Sequence, residues 1–228
     1  MIYNDFPALK LHVKYHLYIF TFLLIFFHDK MDFSIQFLLF DHVTTHIYAI
    51  SWGWLLISNV VIDSSSSTSQ LSIETSYRGI SNNSHVFLTK NAMNELRTHL
   101  SFTQLRFHCS KQHGRTFHVT TVANSTGEAV VKYFSGQTDV QPDACGSFVR
   151  MENDNSRLAE VCRHWGYNGT SYEVGKWGHA RDQDRLYNHG AFRLFSYHWL
   201  LTPGGSRWEC DDYKVGVSYG DFWKVFVR

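Results

Sequence analysis

Four cysteines constrain the fold of this chain more than any other feature: Cys109, Cys145, Cys162 and Cys210. An even number with no Cys-x-x-Cys spacing predicts two disulfides rather than a metal or redox pair. Three pairings are open. We favour Cys145 with Cys162, which closes a local loop, and Cys109 with Cys210, which ties an early strand to a late one. Disulfides would indicate an extracellular protein, whereas the competing hypothesis is four reduced core cysteines in a cytosolic one.

The segments around these cysteines have the residue pattern of short β-strands. Six runs are rich in aromatic and β-branched residues and are separated by turn-forming residues. These runs are Gln104 to Cys109, Thr116 to Val122, Glu128 to Phe134, Arg193 to Trp199, Tyr213 to Val217 and Phe222 to Val227. A helix is predicted over Lys90 to Leu100, with Thr89 as its N-cap. The pattern favours a mainly β fold, a β-sandwich or jelly roll with one short helix.

Charge divides the chain into unequal parts. Residues 1–62 contain only seven Asp, Glu, Lys or Arg residues, whereas residues 63–228 contain the other 34. A Ser-rich run, DSSSSTSQ, follows this boundary and has no apolar residue to offset the entropy of ordering it. We therefore divide the chain into an apolar N-terminal segment (1–62), a linker (63–75) and a disulfide-stapled β-rich extracellular domain (76–228).

Residues 1–62 contain two apolar stretches, Leu17 to Phe27 and Val43 to Ile62. The second is just long enough to span a bilayer, and the first resembles the apolar region of a signal peptide without its cleavage site. Three hypotheses remain: a membrane anchor with the β-domain outside, a signal-like leader, or a segment that is not native. Any membrane contact would be made by these residues. We expect them not to pack against the β-domain.

A glycan-binding site is predicted around Cys210, where carboxylates and aromatic rings occur together. Five of the seven tryptophans lie between Trp165 and Trp223, and sugars stack on aromatic faces while carboxylates accept bonds from their hydroxyls. The predicted residues are Trp177, His179, Trp208, Glu209, Asp211, Asp212 and Tyr213. A calcium ion could assist glycan binding at this site, because calcium prefers oxygen ligands such as these carboxylates. The competing hypothesis is that Trp208 and Tyr213 point inward and the carboxylates only solubilise a turn.

Catalysis is not indicated by any motif in the sequence. A nucleophile elbow, a phosphate-binding loop and a zinc-protease helix are all absent, so no catalytic residue, metal ligand or cofactor is predicted. The alternative is a secreted hydrolase that uses Asp211 or Asp212. Three of the fourteen histidines, His108, His113 and His118, are spaced by five, which fits no metal motif. A net charge of +1 argues against a nucleic-acid partner, so matrix components or glycans are the expected partners.

Three glycosylation sequons are compatible with secretion: Asn82, Asn124 and Asn168. Each lies beside turn-forming residues, where a glycan would be tolerated. The expected product is a secreted glycoprotein.

The cysteine-containing region also resembles a known group of proteins. Long motifs carry the resemblance, among them LRFHCSKQHGRTFHVTT, VGKWGH, RWECDDY and GDFWKVFVR, within Leu105 to Arg228. This region is similar to the C-terminal part of cnidarian proteins described as uncharacterised skeletal organic matrix proteins. The resemblance implies an extracellular protein with no established catalytic residues, in which the four cysteines match as a set. Residues 1–62 do not share it.

Overall fold

The computed structural model describes residues 53–63, 71–80, 85–204 and 207–228, and the backbone alone of the strands at 34–41 and 44–51. The strands are β1 (Ser34–Asp41), β2 (Thr44–Ser51), β3 (Trp54–Val61), β4 (Ser72–Glu74), β5 (Val86–Leu88), β6 (Leu105–Ser110), β7 (Thr116–Thr121), β8 (Phe148–Arg150), β9 (Ala191–Arg193), β10 (Tyr197–Leu201), β11 (Trp208–Asp212) and β12 (Phe222–Val227). The α-helices are α1 (Lys90–Leu100), α2 (Ser125–Phe134) and α3 (Arg157–Glu160). The mainly β fold predicted from the sequence is confirmed.

Two sheets organise the described strands, in a sandwich-like arrangement. The larger sheet has the order β1-β2-β3-β12-β6-β7-β8, with β5 paired to β3 and β4. Its pairs are antiparallel except for the parallel pair β4 and β5. The smaller sheet has the order β11-β10-β9 and is antiparallel.

The core lies between the inner face of the large sheet and the elements that cover it. Alternate residues of β6 and β12 are buried, and they are Leu105, Phe107, Cys109, Trp223, Val225 and Val227. The ring of Phe107 lies 5.0 Å from that of Phe134 on α2 and 5.2 Å from that of Trp199 on β10, between centroids. Helix α2 and the small sheet therefore share one hydrophobic core with the large sheet.

Both favoured disulfides are confirmed. Cys109 of β6 is bonded to Cys210 of β11, across a sequence separation of 101 residues. Cys145 is bonded to Cys162, 17 residues away, and no cysteine remains free. Two disulfides are typical of an oxidising, extracellular-type environment.

Helix α1 begins and ends where the sequence predicts. The side-chain oxygen of Thr89 accepts a hydrogen bond from the Ala92 N–H at 3.3 Å, which satisfies one of the free donors of the first turn. Met93 and Leu96 are buried against the core on one face. Ser101 ends the helix in the left-handed conformation.

The predicted strand over Glu128 to Phe134 is wrong, because this run lies in α2. The side-chain oxygen of Asn124 accepts hydrogen bonds from the N–H groups of Thr126 and Gly127 and so starts a helix. The apolar residues of the run fit helical spacing as well as alternation, and Val130, Val131, Tyr133 and Phe134 are all buried on the helix. The domain thus contains a second helix almost as long as α1.

Two other predicted strands are displaced by residues with positive φ. The run from Arg193 to Trp199 is a hairpin, in which Phe195 at φ 57° forms the turn between β9 and β10. The run from Tyr213 to Val217 is irregular, and Lys214 has φ 56°. Strand β11 lies just before it. Left-handed residues interrupt strand pairing, and in both places they occur at residue types that give no such signal in the sequence.

The expectation that residues 1–62 do not pack against the β-domain is wrong for Trp54 to Ile62. Strand β3 pairs with β12 in antiparallel register, with Val60 opposite Trp223. Ile57 and Val60 are fully buried. The twenty-residue apolar stretch thus includes a sheet strand, and its residues Leu55, Ile57, Val60 and Ile62 supply part of the core.

The predicted linker also contains part of the sheet, since residues 72–74 form β4. The anchor, leader and non-native hypotheses for residues 1–33, and the Ser-rich run at 64–70, lie outside the described residues. Within the described part of the chain, no helix is both long enough and apolar enough to cross a membrane.

Two neighbouring valines of β3 test its place in the core. Replacing the buried Val60 by Ala should reduce the free energy of unfolding by about 2 kcal/mol, because it removes apolar surface and leaves a cavity. Val61→Ala is the matched control, since Val61 lies on the outer face and is partly exposed, and it should cost less than about 1 kcal/mol. Urea unfolding of both variants measures the difference. Equal costs would mean that β3 does not pack as described.

Candidate ligand-binding site

The predicted stacking faces of Trp177 and Trp208 are not available to a ligand. All five tryptophans between Trp165 and Trp223 are at most 2% exposed. Trp177 donates its ring N–H to the Ser147 hydroxyl at 2.8 Å, and Trp208 packs edge-on against Trp223. These rings are core residues, so the prediction that Trp177 and Trp208 stack on a ligand is wrong.

The carboxylates around Cys210 are occupied by partners inside the protein. Glu209 is fully buried and accepts both guanidinium hydrogen bonds of Arg207, at 2.8 and 2.9 Å. Asp211 is buried too, and it accepts hydrogen bonds from the Arg157 N–H at 3.0 Å and the Leu158 N–H at 2.5 Å. These two side chains therefore hold the structure together and do not merely solubilise a turn.

Asp212 lines an open cleft of about 520 Å³ but is also paired. The Lys111 ammonium lies 2.5 Å from Asp212 Oδ2 and donates to the carbonyl oxygens of Val215 and Gly216 at 2.9 and 3.1 Å. Burial raises the pKa of Asp212 to about 6, while Lys111 acts in the opposite direction. Asp211 also lines the cleft. Asp211 pairs with Arg115, so each of the two carboxylates in the cleft is bound to a basic side chain.

A continuous row of rings runs beside this cleft between two exposed ends, with Tyr167 and His198 buried along it, and we call it the aromatic strip. In spatial order it consists of Tyr172, Tyr167, His179, His189, His198, Tyr213 and Phe195. Successive ring centroids are 4.4, 4.7, 5.3, 5.6, 5.3 and 5.8 Å apart. Tyr172 is 45% exposed and Phe195 is 70% exposed. The strip thus offers ring surface to solvent at both ends.

Hairpin and loop geometry brings the strip together. His198 lies on β10, and Tyr213 directly follows β11, the strand that pairs with β10. Phe195 forms the turn between β9 and β10. Tyr167 is linked to Tyr172 and to His179 by isolated β-bridges. The disulfide at Cys210 fixes β11 to the large sheet and therefore limits the movement of one end of the strip.

Polar groups follow the strip along its length. Asp182 accepts a hydrogen bond from His189 Nδ1 at 2.8 Å, and its other oxygen lies 3.5 Å from His179 Nδ1. The guanidinium carbon of Arg181 lies 5.4 Å from the Tyr167 ring centroid, and that of Arg207 lies 5.1 Å from the Tyr213 centroid. Rings beside hydrogen-bonding groups can bind a sugar through both its apolar and its hydroxyl faces.

Burial keeps the histidines at the centre of the strip uncharged. It lowers the pKa of His198 to about 3, with His189 and Arg207 acting in the same direction. Glu209 Oε2 lies 3.1 Å from His198 Nδ1, but Arg207 already neutralises that carboxylate. Burial also lowers the pKa of His179. At neutral pH these two imidazoles therefore present neutral rings.

Of the seven predicted ligand residues, the structure places only His179 and Tyr213 on this surface. The sequence does not predict the other five members of the strip, Tyr172, Tyr167, His189, His198 and Phe195. All five tryptophans of the aromatic-rich segment are buried, whereas Tyr172 and Phe195 are exposed. No pattern in the sequence separates the two groups, because tyrosines such as Tyr133 and Tyr187 are buried as well.

Two of the three sequons lie on exposed turns. Asn124 caps α2, and its side-chain oxygen accepts a hydrogen bond from the Thr126 hydroxyl at 2.7 Å. Asn168 has the same geometry, with a bond of 2.9 Å from the Thr170 hydroxyl. In both, the amide nitrogen is left for a glycan. Asn82 lies outside the described residues.

Metal ligands are not grouped in the part of the chain that the structure describes. There, no set of three His, Cys, Asp or Glu side chains could hold a metal ion. His108 and His118 stack with their centroids 3.7 Å apart, whereas His113 lies exposed on the turn between β6 and β7.

Comparison with known proteins adds no relative. The chain matches no family model, and no curated protein or solved structure is significantly similar to it.

His198 should make stability depend on pH. The folded imidazole stays neutral down to about pH 3, whereas an unfolded histidine binds a proton below about pH 6.5. The unfolded state therefore binds more protons between these values, so this contribution to stability is complete above about pH 6.5 and is lost as the pH falls. His198→Gln should make the pH dependence of the unfolding free energy shallower, by up to about 1.4 kcal/mol per pH unit.

Urea unfolding at pH 7, 6, 5 and 4 measures this slope. His113→Gln is the control, because His113 is exposed, and it should leave the slope unchanged. The same slope in wild type and His198→Gln would contradict the burial of a neutral imidazole.

Proposed function

We propose that this chain is a non-enzymatic extracellular binding module and that its aromatic strip binds glycans. The observation that carries the proposal is the strip itself, a row of seven rings with exposed Tyr172 and Phe195 at its ends. Stacking of sugar C–H faces on such rings contributes binding energy without a charged group. Asp182, Arg181 and the partly exposed histidines would bind the hydroxyl groups.

The scaffold supports a binding role because it holds the strip in place before a ligand arrives. The disulfide between Cys109 and Cys210, the buried tryptophans and the ion pair of Arg207 with Glu209 limit the movement of β10 and β11. Preorganisation lowers the entropy cost of binding. The carboxylates that a hydrolase would use are instead bound to Lys111 and Arg115, which is why we place catalysis second.

The setting that we propose is the extracellular matrix, with the protein secreted and glycosylated at Asn124 and Asn168. Disulfides, exposed sequons and the resemblance to skeletal organic matrix proteins support this setting. The partners would be matrix components that bear glycans.

Substitutions at Tyr172, one end of the strip, and at Tyr213, next to its other end, test the proposal. The secreted protein should bind a subset of an immobilised glycan panel, and the double variant Tyr172→Ala with Tyr213→Ala should bind about tenfold more weakly, because two stacking rings are lost. Repeating the measurement without calcium separates direct binding from binding assisted by the metal.

Tyr219→Ala is the matched control. Tyr219 is 71% exposed but is not part of the strip, so its removal should leave binding unchanged. If the double variant binds the glycans as strongly as wild type does, the glycan site lies elsewhere. Cleavage of a bound glycan by wild-type protein, lost in Asp212→Asn, would instead favour the hydrolase.

A further inference from the structure

Cationic and aromatic side chains lie together on the outer face of the large sheet, which is the face opposite the core. Along β6 and β12 the residues that alternate with the core positions point to this face. Across the strands, Lys224 lies opposite His108, and Phe226 lies opposite Arg106. His108 in turn lies opposite His118 on β7. Strand register therefore places cationic and aromatic side chains in adjacent rows on one surface.

Each cation on this surface lies over an aromatic ring. The Arg106 guanidinium carbon is 4.9 Å from the Phe226 ring centroid, and the Lys224 ammonium is 5.1 Å from the Phe222 centroid. At the end of the sheet, the Arg228 guanidinium carbon is 4.6 Å from the centroid of Trp54. We call Arg106, Lys224, Arg228 and their rings the basic face. Stacking holds the charged groups in defined positions.

No carboxylate among the described residues forms an ion pair with these three cations. Asp154 lies near His118, but it is buried and accepts hydrogen bonds from the His118 N–H and from Arg150. Burial lowers the pKa of Lys224 and of Arg106. Arg106 donates a hydrogen bond to His118 Nε2 at 2.6 Å, and Arg228 donates two to Gln104 Oε1, at 3.1 and 2.5 Å. These partners are neutral, and partly desolvated cations without a counterion cost free energy, which a bound anion would offset.

We propose that the basic face binds the sulfate groups of an acidic polysaccharide. Arginine and lysine match sulfate oxygens, and the interleaved rings match the apolar faces of the sugars between them. The site is independent of the aromatic strip, because it lies on the opposite side of the large sheet from the core.

Retention on a sulfated polysaccharide tests this inference with the full chain. Wild-type protein should bind immobilised heparin at low salt, used as a model sulfated polysaccharide, and should not bind neutral dextran. Lys224→Gln and Arg228→Gln should each weaken binding about tenfold, since each removes one charge-assisted contact. Lys224→Arg keeps the charge and should bind heparin as strongly as wild type. Urea unfolding of each variant checks that the fold is retained.

Lys132→Gln is the control for a general loss of charge, because Lys132 lies on α2 and is 53% exposed. Its binding should equal that of wild type. The inference is overturned if heparin is not bound, if Lys132→Gln weakens binding as much as Lys224→Gln, or if single-stranded DNA or polyglutamate competes as well as heparin. The strip variants should lose binding to neutral glycans but still bind heparin. Each of the two proposals can therefore fail without the other.

Discussion

The disulfide between Cys109 and Cys210 is the interaction on which the rest of the domain depends. It joins the centre of the large sheet to the edge strand of the small sheet, across 101 residues of chain. Closing a loop of that length removes about 4.7 kcal/mol of entropy from the unfolded state, against about 3 kcal/mol for a loop of 15 residues. Beside it, the Trp223 ring N–H donates to the Glu209 carbonyl at 3.0 Å. The two sheets are thus fixed at one point.

Charges around this disulfide extend the connection to neighbouring loops. Asp211 accepts hydrogen bonds from the start of α3, and Lys111 holds the irregular segment after β11 through Asp212 and two carbonyl oxygens. Buried charges are stable only when they are paired and hydrogen-bonded. The acidic cluster that suggests a ligand site in the sequence therefore has a structural role, and ring surface for a ligand appears on the loops beyond it.

The sequence predicted features that depend on local signals and missed those that depend on packing. Thr89 and the apolar spacing after it fixed α1, and cysteine spacing favoured the correct pairing. By contrast, the apolar residues Val130, Val131, Tyr133 and Phe134 of α2 are β-forming types whose spacing fits either structure, and the cap at Asn124 decides between them. The apolar stretch ending at Ile62 resembles a membrane span until β12 is seen to pair with it. Which rings face solvent depends on the whole core, and the sequence does not show this.

Hydrogen exchange on a variant without the central disulfide tests this account most directly. In Cys109→Ala with Cys210→Ala, the amides of β10 and β11 should exchange about tenfold faster or more relative to those of β6 and β7, because the small sheet can then open separately. Removing Cys145 and Cys162 instead should leave the relative protection of β10 and β11 within about threefold of wild type. Equal loss of protection in both variants, or no change in either, would contradict the role assigned to Cys109 and Cys210.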